Sequence, residues 1–550
     1  MNAPLNIGID LDNTIINYQG LFAQAACAQG WSNDATQSKD AIKHHLLNTD
    51  GNDQRWRVLQ TQVYAHLIAS AKPFDGLIPF CQAVRQQGDR IYIVSHKTPV
   101  SNLDACTNLI TPAKAWLQQQ PIDPDGLFFC ATREAKIRQI AQLNCTLFID
   151  DLSLILADKT FPKHTYPLLF APHTSHSPLP QAASWAHIST IYQCLKHYGL
   201  TLLDTLFERK HMLPTQLQHL HGGNHTVSSV TFADNTQWVI KSGKPDRIKR
   251  DAQALSLLSS HHIKPIPQLI AHTPNGHLIS THLSGTPITS VSRQHIHQVV
   301  DFIRRLDTLS RSQQPAVVHF PAAAQARTNL QDYLDGIDTR LTDLTQGVRQ
   351  CEAQYAGFTP LRHLIEDSLP PLKQAVFAHF AHTSEAYGWD NNAPFAAQER
   401  ILSPSDLGFH NTLISPKQTV QFLDFEYFGW DDKAKLCCDF LHHQGHHLSN
   451  AQKQYFLTTL HTQGVLTDAL IQRIHAVLDV VGFEWILIVL NIAQPHKTAQ
   501  KIHANASTPI ATLVQRQGDQ AEQLVRAFTH RQQRQQTYLS ASLTDVRHIL

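Results

Sequence analysis

The chain has 550 residues, more than one ordinary domain holds, so two or three domains are expected. Lys plus Arg (45) nearly balance Asp plus Glu (44), which excludes a global field that would draw nucleic acid or an anionic membrane. Nine cysteines without a C-x-x-C pair point to free thiols in a reducing cytoplasm, and the 35 histidines are scattered without metal-ligand spacing such as H-E-x-x-H. No basic run opens the chain, and Asp10 and Asp12 break its first apolar segment, so no signal peptide is expected. The longest apolar run, Ala476 to Ala493, contains Asp479 and Glu484 and reads as a buried helix rather than a membrane span.

The first predicted strand, Leu5 to Ile9, ends on Asp10-Leu11-Asp12-Asn13-Thr14. A buried parallel strand that delivers carboxylates at its C-terminal end is where an open α/β sheet places its active site. A second apolar strand, Arg90 to Val94, ends on Ser95. Lys136 opens a helix predicted over Ala135 to Leu143, and a third strand, Cys145 to Ile149, ends on Asp150-Asp151. D-x-D-x-T, Ser95, Lys136 and the acidic pair, in this order, resemble the motifs of the haloacid dehalogenase (HAD) superfamily. The resemblance implies a Rossmann-like α/β domain over residues 1–198. Asp10 would be the nucleophile that forms an aspartyl-phosphate, and Asp12 the acid and base. Ser95 would bond a phosphoryl oxygen and Lys136 would neutralise charge. Asp10, Asp150 and Asp151 would hold Mg²⁺, a cation suited to oxygen ligands.

Between the first two motifs, helix-period segments at Leu21 to Gln29, Ser38 to Leu47 and Asp53 to Ala71 predict a helical cap over about 20–88. Such a cap excludes water and selects a small phosphate ester. Ser95-His96-Lys97-Thr98 puts a His and a Lys at the mouth, either touching substrate or facing solvent. The helix Ser184 to His197 with Gly199 as its stop closes the domain, and a short junction lies near Tyr198 to Thr201.

The second domain, 200–550, opens with His221-Gly222-Gly223-Asn224-His225 before strands predicted at Val227 to Phe232 and Gln237 to Lys241. Glycines there let backbone N–H groups approach phosphates. Further strands are predicted at Ile263 to Leu269 and Leu278 to Leu283, and helices dominate from Arg293 onward. Asp406 is followed by Asn411, an apolar strand, a turn at Pro416 to Gln418, and a strand Val420 to Leu423 that ends on Asp424. Phosphoryl transfer from a nucleotide needs one carboxylate at the acceptor hydroxyl and an amide and second carboxylate on Mg²⁺.

This spacing resembles the aminoglycoside phosphotransferase and choline kinase family, relatives of protein kinases. The resemblance implies a two-lobed α+β fold, with a small lobe over about 200–285 and a helical lobe over about 286–550. Asp406 would be the catalytic base, and Asn411 and Asp424 Mg²⁺ ligands. Gly222, Gly223 and Lys241 would grip ATP, with Asp251, on a helix predicted over Arg247 to Ser259, as the partner of Lys241 where the family has Glu. Ser284-Gly285-Thr286 would form the adenine hinge. Two departures stand out: Pro404-Ser405 where the family carries His-Gly, and Asp251 itself. Asp439 reads as a structural acid, Tyr427, Phe428 and Trp430 as core or wall, and Arg516 to Gln536 as a solvated helix.

Together the halves imply a cytoplasmic, bifunctional, Mg²⁺-dependent enzyme. It would phosphorylate a small-molecule hydroxyl with ATP and hydrolyse a phosphomonoester, a phosphosugar or polyol being the favoured substrate, with neither nucleic acid nor membrane as partner. The alternatives are a regulatory or effector protein with one inactive half, or a kinase acting on protein.

Overall fold

The computed structural model describes residues 4–50, 53–104, 106–173, 177–220, 226–504 and 508–535. The chain forms two compact units, Met1–Lys241 and Ser242–Leu550.

The first unit is built on strands β1 (Asn6–Ile9), β2 (Ile16–Asn17), β3 (Lys72–Pro73), β4 (Arg90–His96), β5 (Gly126–Cys130), β6 (Leu147–Asp150), β7 (Tyr166–Phe170) and β8 (Gln181–Ala182). Six of them form one parallel sheet in the order β5-β4-β1-β6-β7-β8. The apolar runs that predict these strands are buried: Ile7, Ile9, Ile91, Ile93, Leu147 and Ile149 are all fully inaccessible. Register decides the rest. Ile9 sits opposite Ile93 on one side and Ile149 on the other, so Asp10, Ser95 and Asp150 emerge together at the C-terminal edge.

The segment between β2 and β3 leaves and returns on that two-stranded antiparallel ladder. It holds helices Leu21–Ala28, Lys39–Asp50 and Gln54–Thr61, the last running on through a π-helical turn, Gln62–Leu67. Phe22 stacks on Trp56 with ring centroids 5.2 Å apart, giving the insertion its own small core. The next helix, Leu77–Gln86, lies within the range predicted for the cap but packs with the helix Trp185–Tyr198, Phe80 meeting Trp185 at 5.1 Å. Lys136 rides on the helix Arg133–Gln142, capped by the Thr132 side chain; Ile137 and Ile140 pack with Val94 and Phe148. After the helix Leu200–Lys210 come β9 (Gln216–Leu220), β10 (Thr226–Thr231) and β11 (Gln237–Ser242), β9 and β10 antiparallel. β9 is absent from the sequence expectation, because Gln216, Gln218 and His219 leave its two leucines without a period-two apolar pattern.

In the second unit β12 (Leu269–Thr273) pairs antiparallel with β13 (His277–Thr281). This corrects the strand predicted over Ile263 to Leu269: Pro265 and Pro267 cannot donate to a ladder, and pairing starts only beyond them. β14 (Thr286–Pro287), β16 (Thr412–Ile414) and β17 (Val420–Phe422) form one small sheet, and β15 (Arg400–Ser403) pairs with β18 (Gly429–Asp432). The segments that carry Asp406 and Asp424 therefore leave from two separate short sheets.

Around them stands a helical body that includes Arg293–Ser310, Gln331–Gln354, Lys433–His442 and Asp468–Val489. The last is long and apolar enough to cross a membrane by composition, yet it is buried on nearly every side, Val477, Val481, Phe483 and Leu487 being inaccessible. The tail helix, Ile510–Gln535, exposes the Gln- and Arg-rich face expected of a solvated helix but also packs a second face on the core. Val514, Ala521 and Phe528, seven residues apart, are buried in the main core, a narrow stripe that composition hides.

Candidate functional site

In the first unit, Lys136 is fully buried and its Nζ lies 2.6 Å from Asp10 Oδ1 and 2.6 Å from Asp150 Oδ2. Asp10, Asp150 and Asp151 each offer an oxygen within 4.8 Å of the others. The Leu152 N–H holds the second Asp150 oxygen at 2.9 Å. Burial pushes the Asp10 carboxyl well above its ordinary range; Lys136 opposes this, and Asp150, Asp151 and Asp12 add to it. Burial and Asp150 likewise push Asp151 up to about 7. Lys136 loses to burial but gains more from Asp10 and Asp150, so its ammonium is stabilised. One ammonium cannot balance three carboxylates. The all-oxygen set and its excess negative charge fit a hard divalent cation.

Ser95 is buried, and its hydroxyl finds no hydrogen-bond partner among the described residues; Thr14 is in the same position. A buried hydroxyl without a partner is costly, and a ligand oxygen would relieve it. Asp12 is held on both oxygens by Lys97 Nζ, at 2.9 and 2.7 Å, and on Oδ1 by the Tyr18 hydroxyl at 2.7 Å. Lys97 is buried and lies 4.8 Å from the Tyr64 ring centroid, whereas His96 is exposed. The open choice at the mouth is thus divided: Lys97 points in and His96 out. Tyr64 sits on the π-helical turn of the insertion, a local distortion of the kind that gathers at functional sites.

In the second unit, Asp406 follows β15 across Ser405, whose φ is +69°. Asn411 turns back on it, its Nδ2 3.1 Å from both the Asp406 carbonyl and Oδ2, so the amide oxygen is not the atom engaged with Asp406. His443 Nε2 lies 2.9 Å from Asp406 Oδ1 and His410 Nε2 3.4 Å from Oδ2, and the two imidazoles stack 4.4 Å apart. His410 fits because Gly408 and Gly445 lack side chains: a Cβ there would stand 2.7 and 2.6 Å from its Nδ1. Burial raises the Asp406 carboxyl, but the hydrogen bonds from His410 and His443 outweigh it and hold the group well below the usual carboxylate range.

Asp424 adopts φ +64°, a left-handed conformation uncommon for a residue with a side chain. The residues after it are clamped by the helix Pro245–Ser260: Asp251 Oδ1 accepts the Phe425 N–H at 3.3 Å, and Arg247 meets Tyr427 Oη at 2.7 Å and Glu426 Oε1 at 3.2 Å. Asp251, expected as the partner of Lys241, ties its helix to the segment following Asp424. Lys241 stands on β11, nine-tenths buried. Gly222 and Gly223 lie outside the described residues. Asp439 is a structural acid, bound by Lys435 Nζ at 2.6 Å and the Trp485 indole N–H at 3.1 Å.

Sequence reasoning missed Tyr18, Tyr64, Arg247, His410 and His443. The signal for the last two was present in the run His442-His443-Gln444-Gly445-His446-His447, which breaks the reading of the histidines as scattered.

No protein-family model and no curated protein sequence matches the chain. Among solved structures it is similar to an ethanolamine kinase of Plasmodium vivax, at 15% identity and a TM-score of 0.39, over 62% of this chain and 90% of that one. It is also similar to a choline kinase from Cryptosporidium parvum, at 12% identity and a TM-score of 0.38, over 57% and 90% of the two chains. A macrolide 2′-phosphotransferase from Brachybacterium faecium matches at 16% identity and a TM-score of 0.36, over 55% and 97%.

Proposed function

We propose that the chain is a bifunctional phosphoryl-transfer enzyme, with a HAD-like phosphatase on residues 1–198 and a kinase-like ATP-dependent phosphotransferase for a small-molecule hydroxyl on residues 200–550. The observation that carries the reading is the buried Lys136 ammonium, 2.6 Å from carboxylates at the ends of two adjacent parallel strands. Such an arrangement lets one carboxylate approach a phosphate without prohibitive repulsion.

Asp10 would attack phosphorus, and the leaving alcohol would take a proton from Asp12, which then draws the proton from water as the acyl-phosphate hydrolyses. Ser95 Oγ would hold a phosphoryl oxygen. Asp10, Asp150 and Asp151 would hold Mg²⁺, which would supply charge neutralisation at the phosphate. In the kinase half Asp406 would orient and deprotonate the acceptor hydroxyl, with Asn411 and Asp424 holding Mg²⁺ and Lys241 the nucleotide phosphates. A sugar, polyol or phosphosugar is the favoured substrate, the kinase acting at one hydroxyl and the phosphatase at another. The free thiols suit a cytoplasmic setting.

The test is ³¹P NMR of full-length Asp10→Asn with Mg²⁺, ATP and a panel of sugars and polyols. A new phosphate-ester resonance is expected, and wild-type protein should remove the ester or a related one. Intact ATP across the panel would overturn the kinase half, leaving ATP binding without turnover, the reading that Pro404-Ser405 favours.

A further inference from the structure

The imidazole of His443 cannot meet a substrate, being almost wholly buried. Its ring packs on Trp485 with centroids 4.5 Å apart, and Trp485 is anchored through its indole N–H to Asp439 at 3.1 Å, which in turn holds Lys435 at 2.6 Å. The backbone N–H of Gly445 points at His443 Nδ1 from 2.8 Å. That contact determines the tautomer. An N–H directed at Nδ1 requires a lone pair there, so the single proton of the neutral ring sits on Nε2 and is donated to Asp406 Oδ1, 2.9 Å away.

Asp406, His410 and His443 have donor atoms close enough to suggest a metal centre. The same tautomer argues otherwise. A metal on His443 Nε2 would move the ring's proton to Nδ1, where it would point at the Gly445 N–H, so that two donors would face each other unless the ring gave up its proton altogether as an imidazolate.

We propose that His443 is a positioning residue for Asp406, working through the chain Gly445 N–H to Nδ1, then Nε2–H to Oδ1. It closes Oδ1 on the buried side and fixes the plane of the carboxylate. Oδ2, which Asn411 Nδ2 reaches at 3.1 Å and His410 Nε2 at 3.4 Å, lies beside the exposed His410 and the partly exposed Asn411, and its remaining lone-pair capacity is what meets the acceptor hydroxyl. The contact is made across the fold, from a histidine just beyond the end of the helix Lys433–His442 and 37 residues from Asp406. The inference rests on the kinase reading of Asp406.

Two variants and one spectrum test it. His443→Gln keeps an N–H donor at the position of Nε2, while His443→Phe keeps the ring on Trp485 without the donor. In ATP-dependent phosphorylation of the acceptor found in the ³¹P panel, His443→Phe should lose about 10- to 100-fold in kcat with KM for ATP unchanged, the cost of one hydrogen bond to a charged group. His443→Gln should stay within about fivefold of wild type by the same reasoning. Equal losses in the two variants, or a loss in KM alone, would overturn the proposal. Independently of turnover, ¹⁵N–¹H correlation of histidine-labelled wild-type protein should contain a ring protonated at Nε2 and bare at Nδ1 that vanishes in His443→Gln. A ring protonated at Nδ1 would overturn it as well. Absence of any phosphorylation by wild-type protein would instead sink the kinase reading, and the tautomer alone would then decide whether this hydrogen-bond chain exists.

Discussion

Asp10 and Asp406 both follow a short strand, yet their surroundings drive them in opposite directions. Asp10 is buried beside Asp150 and Asp151 with the Lys136 ammonium between it and Asp150, and its carboxyl is pushed up. Asp406 keeps a third of its side chain exposed, is surrounded by an amide and two imidazoles, and is pushed down. The first environment is a store of unbalanced negative charge that asks for a cation. The second is a set of hydrogen-bond donors that orients a carboxylate and holds it well below the usual carboxylate range. Identical side chains thus acquire different chemistry from the groups folded around them.

The comparison is broken most directly at Lys136. Lys136→Met leaves buried carboxylates without their counter-ion, and a loss of about 3–5 kcal/mol in the stability of the first unit is expected from thermal or urea unfolding. Saturating Mg²⁺ should recover part of it. Equal stability of variant and wild type in the absence of divalent cations would mean that the ammonium does not balance the cluster.

Separation of the two sites is the next test. Asp406→Asn should lower ATP-dependent phosphorylation by about 10²- to 10⁴-fold, the usual range for a general base, and leave phosphomonoester hydrolysis unchanged. Asp10→Asn should do the reverse. A single variant that abolishes both activities would mean that one site serves both.

Asp151 gives the pH dependence. Its carboxyl is raised to about 7 in the folded protein, above its value in the unfolded chain. Stability from this group is therefore complete below the unfolded value, near pH 4, and declines as pH rises through about 7. Metal-free wild-type protein should lose melting temperature between pH 5 and pH 8, Asp151→Asn should lose less, and Mg²⁺ should stabilise the wild type far more than the variant. Parallel pH curves for the two proteins would show that Asp151 is not the group responsible.

Ser95→Ala is the smallest change. Removing a buried hydroxyl that has no partner forfeits no bond, so melting temperature should hold or rise slightly, while hydrolysis falls about tenfold from the lost contact to a phosphoryl oxygen. Loss of stability without loss of hydrolysis would mean that the hydroxyl is bonded within the protein and turned from the site.

Much of this arrangement was legible in the residues. The apolar runs before Asp10, Ser95 and Asp150 announce strands buried on both faces, and parallel strands of matched register bring their ends together. The turn between Ile414 and Val420 announces the hairpin that carries Asn411 and Asp424. Ile263 to Leu269 was misleading because β-branched residues and leucine outweighed two prolines that forbid a ladder. The tail helix was misleading because three buried residues spaced by seven are a thin signal among glutamines.

The sequence by itself determined the strands that precede Asp10, Ser95, Asp150 and Asp424, the order of the carboxylates along the chain, and the absence of a strong net charge, since these follow from local periodicity and composition. Only the tertiary structure decided which groups surround each carboxylate. Lys97 lies 85 residues from Asp12, His443 lies 37 from Asp406, and Asp251 lies 174 from the backbone it holds. Hydrogen bonds and charge interactions act over a few ångströms of space, whatever the separation along the chain. A local pattern can therefore place a carboxylate at the end of a strand but cannot say whether an ammonium, an imidazole or another carboxylate will stand beside it.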